Sequence, residues 1–384
     1  MITPFPALCE AVAADWDVPA LAVGLAAGDE VETVFLGCEP DTRFRIASIT
    51  KPFTASLAAA VLDLEAPSGV WPDDVRVRHL LSHTSGFDCE LPDGDNDKHG
   101  SGDDALARCV SELPGLRRFL PAETAWSYAN SGYWLAGWLA AERADSTFED
   151  ALERHVIGPA GLEATSFAEP ELAGTGEGAR SLPYPRSRRP SGGLVSTVGD
   201  LLRFGSRHLA DPSSARLRTA HGAPIRGVYG LGLFGERVGG AEVWGHGGSY
   251  GGFQSSFLVV PSRGAVFVGL TNAGAGGKAL RPLEDAFFER VLGARRPSPP
   301  YVKLAAEQYA AFAGSYENSD GAYRVEYPPR SEGLVVDWEG AEHVALALDE
   351  RTFQIPVGPR VGERFDFPHP GFGRFGSRIA VRVA

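Results

Sequence analysis

Ten consecutive residues, FTASLAAAVL from Phe53 to Leu62, carry no charge and offer water almost no polar surface. A helix that is apolar nearly all round has to be covered on all sides, so this stretch predicts a central helix with layers of structure around it. Pro52 fits only where a missing N–H costs little, which puts the helix start just upstream. Ser48 and Lys51 then lie at that start, three residues apart and on one face.

Such a pair has a chemistry. Free backbone N–H groups and the positive end of the helix dipole favour negative charge developing beside the first turn. Only four of the 36 basic residues are lysines, at 51, 98, 278 and 303. Arginine keeps its proton at working pH whereas a desolvated lysine can release it, so a lysine here suits a base. Serine is also among the commonest helix caps, and the pair alone is compatible with a polar first turn.

The chain has 384 residues, 43% hydrophobic and 22% charged, enough for a large core and two domains. Its net charge of −13 and the lack of a basic stripe exclude nucleic acid and an anionic membrane as expected partners, leaving a small molecule or short peptide. No basic leader and no membrane-length apolar run is present, which predicts a cytoplasmic protein. Four scattered cysteines, at 9, 38, 89 and 109, read as free buried thiols.

The pattern along the chain predicts an α+β fold. ALAVGLAAGDEVETVFLG reads as a hairpin turning at Gly28 and Asp29. Helical patterns run to about Leu162, and a second β-rich block spans Tyr229 to Leu270, followed by a helix from about Pro282 to Leu292. GARRPSPP, 293–300, reads as an extended, poorly packing linker. Residues 1–294 form the expected main domain and 301–384 a small all-β domain of short alternating strands, in which YEN, Tyr316 to Asn318, is read as a turn.

Two further segments qualify as company for Ser48. WSYANSGY places Tyr128 and Asn130 two apart, so that an extended segment points both the same way. A phenol whose pKa is pulled down by a nearby ammonium can take a serine proton, and an amide can hold a substrate carbonyl or the lysine. WGHGGSYGGF, from Trp244 to Phe253, is too glycine-dense for an ordinary strand unless something approaches its backbone closely. Its His246 is expected at the pocket mouth, and the Ser249 N–H is placed to complete an oxyanion hole with that of Ser48. Asp93, Asp95, Asp97 and Asp104 fall at calcium-loop positions 1, 3, 5 and 12, but Lys98 occupies the glycine position, so a solvated loop is the reading preferred. His79 and His83, four apart, lack an intervening glutamate and a third ligand, and are read as structural.

Taken together, Ser-x-x-Lys, Tyr-x-Asn and His-Gly-Gly, with HLLSHTSG between the first two, resemble the penicillin-recognising serine hydrolases, in particular the branch of class C β-lactamases, D-aminopeptidases, D-Ala-D-Ala carboxypeptidases and related esterases. The resemblance covers roughly residues 10–293. It implies a catalytic domain with an antiparallel sheet flanked by helices beside a helical lobe, and in some relatives an added β domain. It further implies Ser48 as acylated nucleophile, Lys51 and Tyr128 as shared base, Asn130 as ligand of substrate and lysine, and Gly247, Gly248 and Ser249 with His246 as the substrate-binding and oxyanion strand; neither metal nor cofactor is implied. One departure bears on substrate: lactamases and carboxypeptidases of this group usually begin the third motif with a lysine that binds a carboxylate. His246, mostly neutral at pH 7, supplies no such anchor. With Trp126, Trp244, Tyr250 and Phe253 nearby, the expectation is an esterase or amidase for apolar acyl groups, the alternatives being an acyltransferase or peptide cyclase, or a binding protein that stalls once acylated.

Overall fold

The computed structural model describes residues 4–91, 98–179, 183–329 and 331–383. The predicted hairpin forms as β1 (Leu21–Ala27) and β2 (Glu30–Leu36). A short ribbon pairs β3 (Phe44–Arg45) with β4 (Val195–Ser196), fastening the two ends of a helical lobe. The chain then returns through β5 (Val228–Tyr229), β6 (Phe234–Val238), β7 (Ala241–Tyr250), β8 (Phe253–Val260) and β9 (Ala265–Thr271). These close one antiparallel seven-stranded sheet in the order β2-β1-β9-β8-β7-β6-β5.

The sheet is covered on both faces, which explains why β1 reads as an unbroken apolar run. Leu21, Val23 and Leu25 join the core beneath the helices Phe5–Asp15 and Gly276–Leu292, while Ala20, Ala22 and Ala26 join the core shared with the helical lobe. The helix Gly276–Leu292 starts six residues before Pro282, which it carries inside it. Between sheet and lobe runs the helix Thr50–Val61, buried over most of its length, with Phe53 stacked on Phe204 at 3.9 Å. Each fully buried Phe or Leu here contributes about 1.5–3 kcal/mol.

Beyond residue 301 the chain forms a closed barrel of β10 (Gly314–Asn318), β11 (Gly321–Glu326), β12 (Leu334–Trp338), β13 (Ala341–Ala347), β14 (Thr352–Gln354), β15 (Arg364–His369), β16 (Phe372–Phe375) and β17 (Arg378–Arg382). Its interior is filled by aromatic rings, among them Tyr323 stacked on Phe375 at 4.2 Å, so the barrel is a packed body. Tyr316 to Asn318 lie in strand β10, not in a turn: Tyr316 opposes Tyr323 and is buried, and only the Asn318 side chain caps the turn that follows. The linker also packs better than its prolines suggest. Arg296 is clamped by Glu236 at 2.5 Å and Glu284 at 2.6 Å, because a guanidinium leaving water needs such partners.

The barrel is joined to the main domain by backbone groups. Tyr128 N–H donates to the Ser377 carbonyl at 2.8 Å, and Ile379 N–H donates to Ser127 Oγ at 3.1 Å. Arg374, paired with Asp366 inside the barrel, also donates to the carbonyls of Trp126 at 3.0 Å and Ala223 at 2.8 Å.

Candidate active site

Ser48 sits in a tight turn, Ala47–Ile49, immediately before the buried helix. The turn is strained: Ala47 has φ +44, a region costing a non-glycine residue about 1–3 kcal/mol and met most often at functional sites. Gly248 of β7 packs on this turn so closely that a Cβ there would fall 2.2 Å from the Ile46 carbonyl oxygen, and Ser255 Oγ donates to the same oxygen at 3.0 Å. The glycine at 248 therefore admits the backbone of the Ser48 turn, whereas a Cβ at Gly247 would make only ordinary contact, 3.6 Å from the Ser255 carbonyl oxygen.

Three of the predicted side chains meet. Lys51 Nζ lies 3.0 Å from Ser48 Oγ, and Tyr128 OH donates to that same oxygen at 2.9 Å. The second Lys51 contact is the Ser191 carbonyl at 2.7 Å. Ser191 is itself tied down, its Oγ accepting from Trp134 Nε1 at 2.9 Å and donating to the Arg188 carbonyl at 3.0 Å. With a hydrogen directed at Ser191, a neutral amine keeps its lone pair for the Ser48 hydroxyl proton.

Burial sets the proton affinities. The Lys51 amine is pushed down from 10.5 to about 7, mainly by loss of water, with a smaller push from the Arg378 charge. Tyr128 moves the other way from the sequence expectation. Burial holds its phenol well above the usual value, and the hydrogen bond with Ser48 offsets only part of this, so the phenol stays protonated at neutral pH. His246 is pushed down to about 3 by burial and then by the Lys51 charge, and is neutral. It does not stand at the pocket mouth: it is buried in an aromatic wall with its ring 5.1 Å from Phe234 and 6.1 Å from Tyr229.

Asn130 opens the helix Asn130–Arg143 and its Nδ2 donates to Glu90, so it holds no hydrogen bond to Lys51. Ser48 and Ser249 line a common cavity of about 290 Å³ with Asn130, Glu90, Tyr184 and Tyr250. A second cavity of about 810 Å³ opens from Ser48 and Tyr128 along β7, past Trp126 and Trp244. Phe253 reaches neither; it is buried against Phe44 at 6.4 Å.

Several residues at the site carry no motif that sequence reasoning can use: Glu90, Tyr184, Ser191, and Arg378, which the barrel brings within 3.6 Å of Glu90. His79 and His83 do not share a helix face. The helix ends at Leu81, and His83 adopts φ +59 and accepts the Ala129 N–H at 3.0 Å, bracing the segment that carries Tyr128. Asp93, Asp95 and Asp97 lie outside the described residues; Asp104 pairs with Arg108 at 2.5 Å, and among the described residues no cluster of metal-ligating side chains occurs. None of the four cysteines forms a disulfide, and Cys38 is half-buried where the other three are buried.

The family profile described as Beta-lactamase matches residues 8–287. The chain belongs to the beta-lactamase family. Penicillin-binding protein 4 of Amycolatopsis lactamdurans is 28% identical to it over 83% of this chain and 94% of that protein. Among solved structures, SurE with D-Leu superposes with a TM-score of 0.78 at 23% identity, covering 99% of this chain and 98% of the other. A D-stereospecific amidohydrolase from Streptomyces sp. gives a TM-score of 0.60 at 25% identity over 72% and 98% of the two chains. This beta-lactamase family member is thus a serine hydrolase, with a closed eight-stranded barrel beyond the matched region. Among its described residues no helix is long and apolar enough to cross a membrane.

Proposed function

We propose that the chain cleaves an ester or amide bond of a small molecule or short peptide through an acyl-enzyme on Ser48. The observation that carries this is the convergence of Lys51 Nζ and Tyr128 OH on one serine oxygen, at 3.0 and 2.9 Å, in a buried site. Neutral Lys51 takes the hydroxyl proton as Oγ attacks the carbonyl, and the Ser48 and Ser249 N–H groups receive the oxyanion. Collapse breaks the bond to the leaving group. Tyr128, protonated and next to both Ser48 and Lys51, passes the proton to the departing oxygen or nitrogen and is reprotonated from Lys51. Water then attacks the acyl-enzyme carbonyl, Lys51 accepting its proton; the bond to Ser48 Oγ breaks, the acid leaves, and Lys51 returns the proton to Oγ.

Neutral, buried His246 disfavours substrates that need a fixed cation for a carboxylate, which separates this chain from lactam-cleaving relatives. The D-stereospecific amidohydrolase and the SurE structure with D-Leu support D-configured aminoacyl groups as the first substrates to try. The test is a panel of p-nitrophenyl esters, D- and L-amino-acid amides and nitrocefin, with mass spectrometry of a fluorophosphonate-treated sample. The expected result is ester or D-amide turnover and a single adduct on Ser48, both absent in Ser48→Ala. Turnover surviving Ser48→Ala, or nitrocefin cleaved as fast as the esters, overturns the reading. Adding amines during turnover shows whether acyl transfer competes with hydrolysis.

A further inference from the structure

Away from Ser48, the larger cavity runs between β7 and β8, the helix Gly276–Leu292 and the barrel, and its far wall is cationic. Arg226 comes from the loop before β5, Arg281 from the helix and Arg364 from the start of β15, yet all three line the one cavity. They sit near enough to feel each other. Partial loss of water first, and then a neighbouring guanidinium in each case, pushes their proton affinities below the usual range.

Their counter-charges are few. Glu236 and Glu284 also line the cavity, but Arg296 clamps both. Arg281 has a 3.9 Å contact with that same Glu284, and Asp285, whose charge also reaches Arg281 and Arg226, lies 3.6 Å from Arg296. Arg364 Nε donates to a neutral acceptor, Gln354 Oε1, at 2.8 Å. Arg226 has no hydrogen bond or ion pair among the described residues, and Glu363 on the same rim is exposed. In a chain of net charge −13, nothing general favours collecting guanidinium groups here. Like charges held together across an open cavity repel, and the repulsion is relieved when an anion enters. Planar guanidinium forks match an oxyanion bidentately, so the residue type fits as well as the charge.

We infer that Arg226, Arg281 and Arg364 form a subsite for an oxyanion, a carboxylate or a phosphate, borne by the substrate at a distance from the bond that Ser48 attacks. The inference rests on the proposed reaction only in requiring that the anion be tethered to the group bound at Ser48. The glycine-lined face of β7 provides the track between the two ends: Gly245 and Gly247 line the cavity without side chains, and Ser256 and Leu258 of β8 lie alongside.

Binding separates this subsite from the chemistry. Ser48→Ala protein is titrated calorimetrically with acyl amides of matched length ending in a methyl, a carboxylate or a phosphate, on spacers of graded length. At the best spacer the anionic ligands are expected to bind about tenfold or more tighter than the neutral one, less so at high salt. The advantage should fall below about threefold in Arg226→Gln/Arg281→Gln/Arg364→Gln, with neutral-ligand affinity unchanged. Phosphate exceeding carboxylate identifies a dianion as the preferred group, and the reverse identifies a carboxylate. Arg226→Gln alone, a change at an exposed position, should already remove part of the advantage. No anionic preference at any spacer length, or a preference that persists in both variants, overturns the subsite. Loss of wild-type turnover of the neutral ester, with anion preference intact, would count against the proposed hydrolysis and leave the subsite standing.

Discussion

Replacing Lys51 with methionine should stabilise the protein at neutral pH while ending its activity. The buried amine has its proton affinity lowered from 10.5 to about 7. The unfolded chain therefore holds this proton up to about 10.5, and the folded chain releases it near 7. Between those values the unfolded state binds more protons, so folding stability rises with pH. Below about 7 the folded state bears the whole cost of a buried ammonium. At pH 7 that cost is on the order of 4 kcal/mol. Methionine removes it together with the hydrogen bonds to Ser48 and Ser191, which are worth about 1–3 kcal/mol. A net gain of about 1–3 kcal/mol at pH 7 follows, turning into a net loss by about pH 10 as the wild-type penalty disappears. Thermal unfolding of both proteins across this range measures the difference. Parallel stability curves for wild type and Lys51→Met between pH 7 and 10 would refute the account of a depressed amine. Activity gives the companion profile: kcat/KM of the wild type should fall about tenfold per pH unit below 7 and level off above it.

Tyr128→Phe removes the proton donor while leaving the ring, so kcat for an amide should fall about 10²–10⁴-fold with KM little changed, in steady-state kinetics. His246→Lys places an amine where relatives carry a cation; nitrocefin kcat/KM should rise about tenfold or more relative to a p-nitrophenyl ester. An unchanged ratio would show that His246 is not what disfavours carboxylates. Arg374→Ala leaves Asp366 buried without its partner and should cost about 3–5 kcal/mol in urea unfolding. Adding Asp366→Ala should restore much of that stability without restoring kcat, because the donors to the Trp126 and Ala223 carbonyls stay missing.

The parts of the site legible in the sequence were those in which local pattern and chemistry coincide. An uncharged run required the central helix, and the proline and serine before it located its start; the scarcity of lysine marked Lys51. The fold class followed from the order of β-rich and helical blocks. What stayed hidden depends on neighbours brought from far along the chain. The rise in the Tyr128 proton affinity comes from burial, which no dipeptide spacing reports. Asn130 turns to Glu90 because the loop that carries Glu90 packs across the start of its helix. Ser191, the acceptor that orients Lys51, sits 140 residues beyond it in a short helical turn with no motif of its own. Tyr316 looked like part of a turn because its strand alternates too briefly to be told from a turn without its barrel partners.

The position of β1 inside the sheet has a consequence for synthesis. Leu21 pairs with Thr271, so β1 must wait for a strand made roughly 250 residues later. At ribosomal rates of about 5–20 residues per second, the exposed edge of the nascent hairpin stays unpartnered for about 12–50 seconds. Expression of this chain should accordingly respond to holdase chaperones acting on the β1–β2 hairpin, and a circular permutant that begins just before β5, and so makes β9 ahead of β1, should escape that dependence.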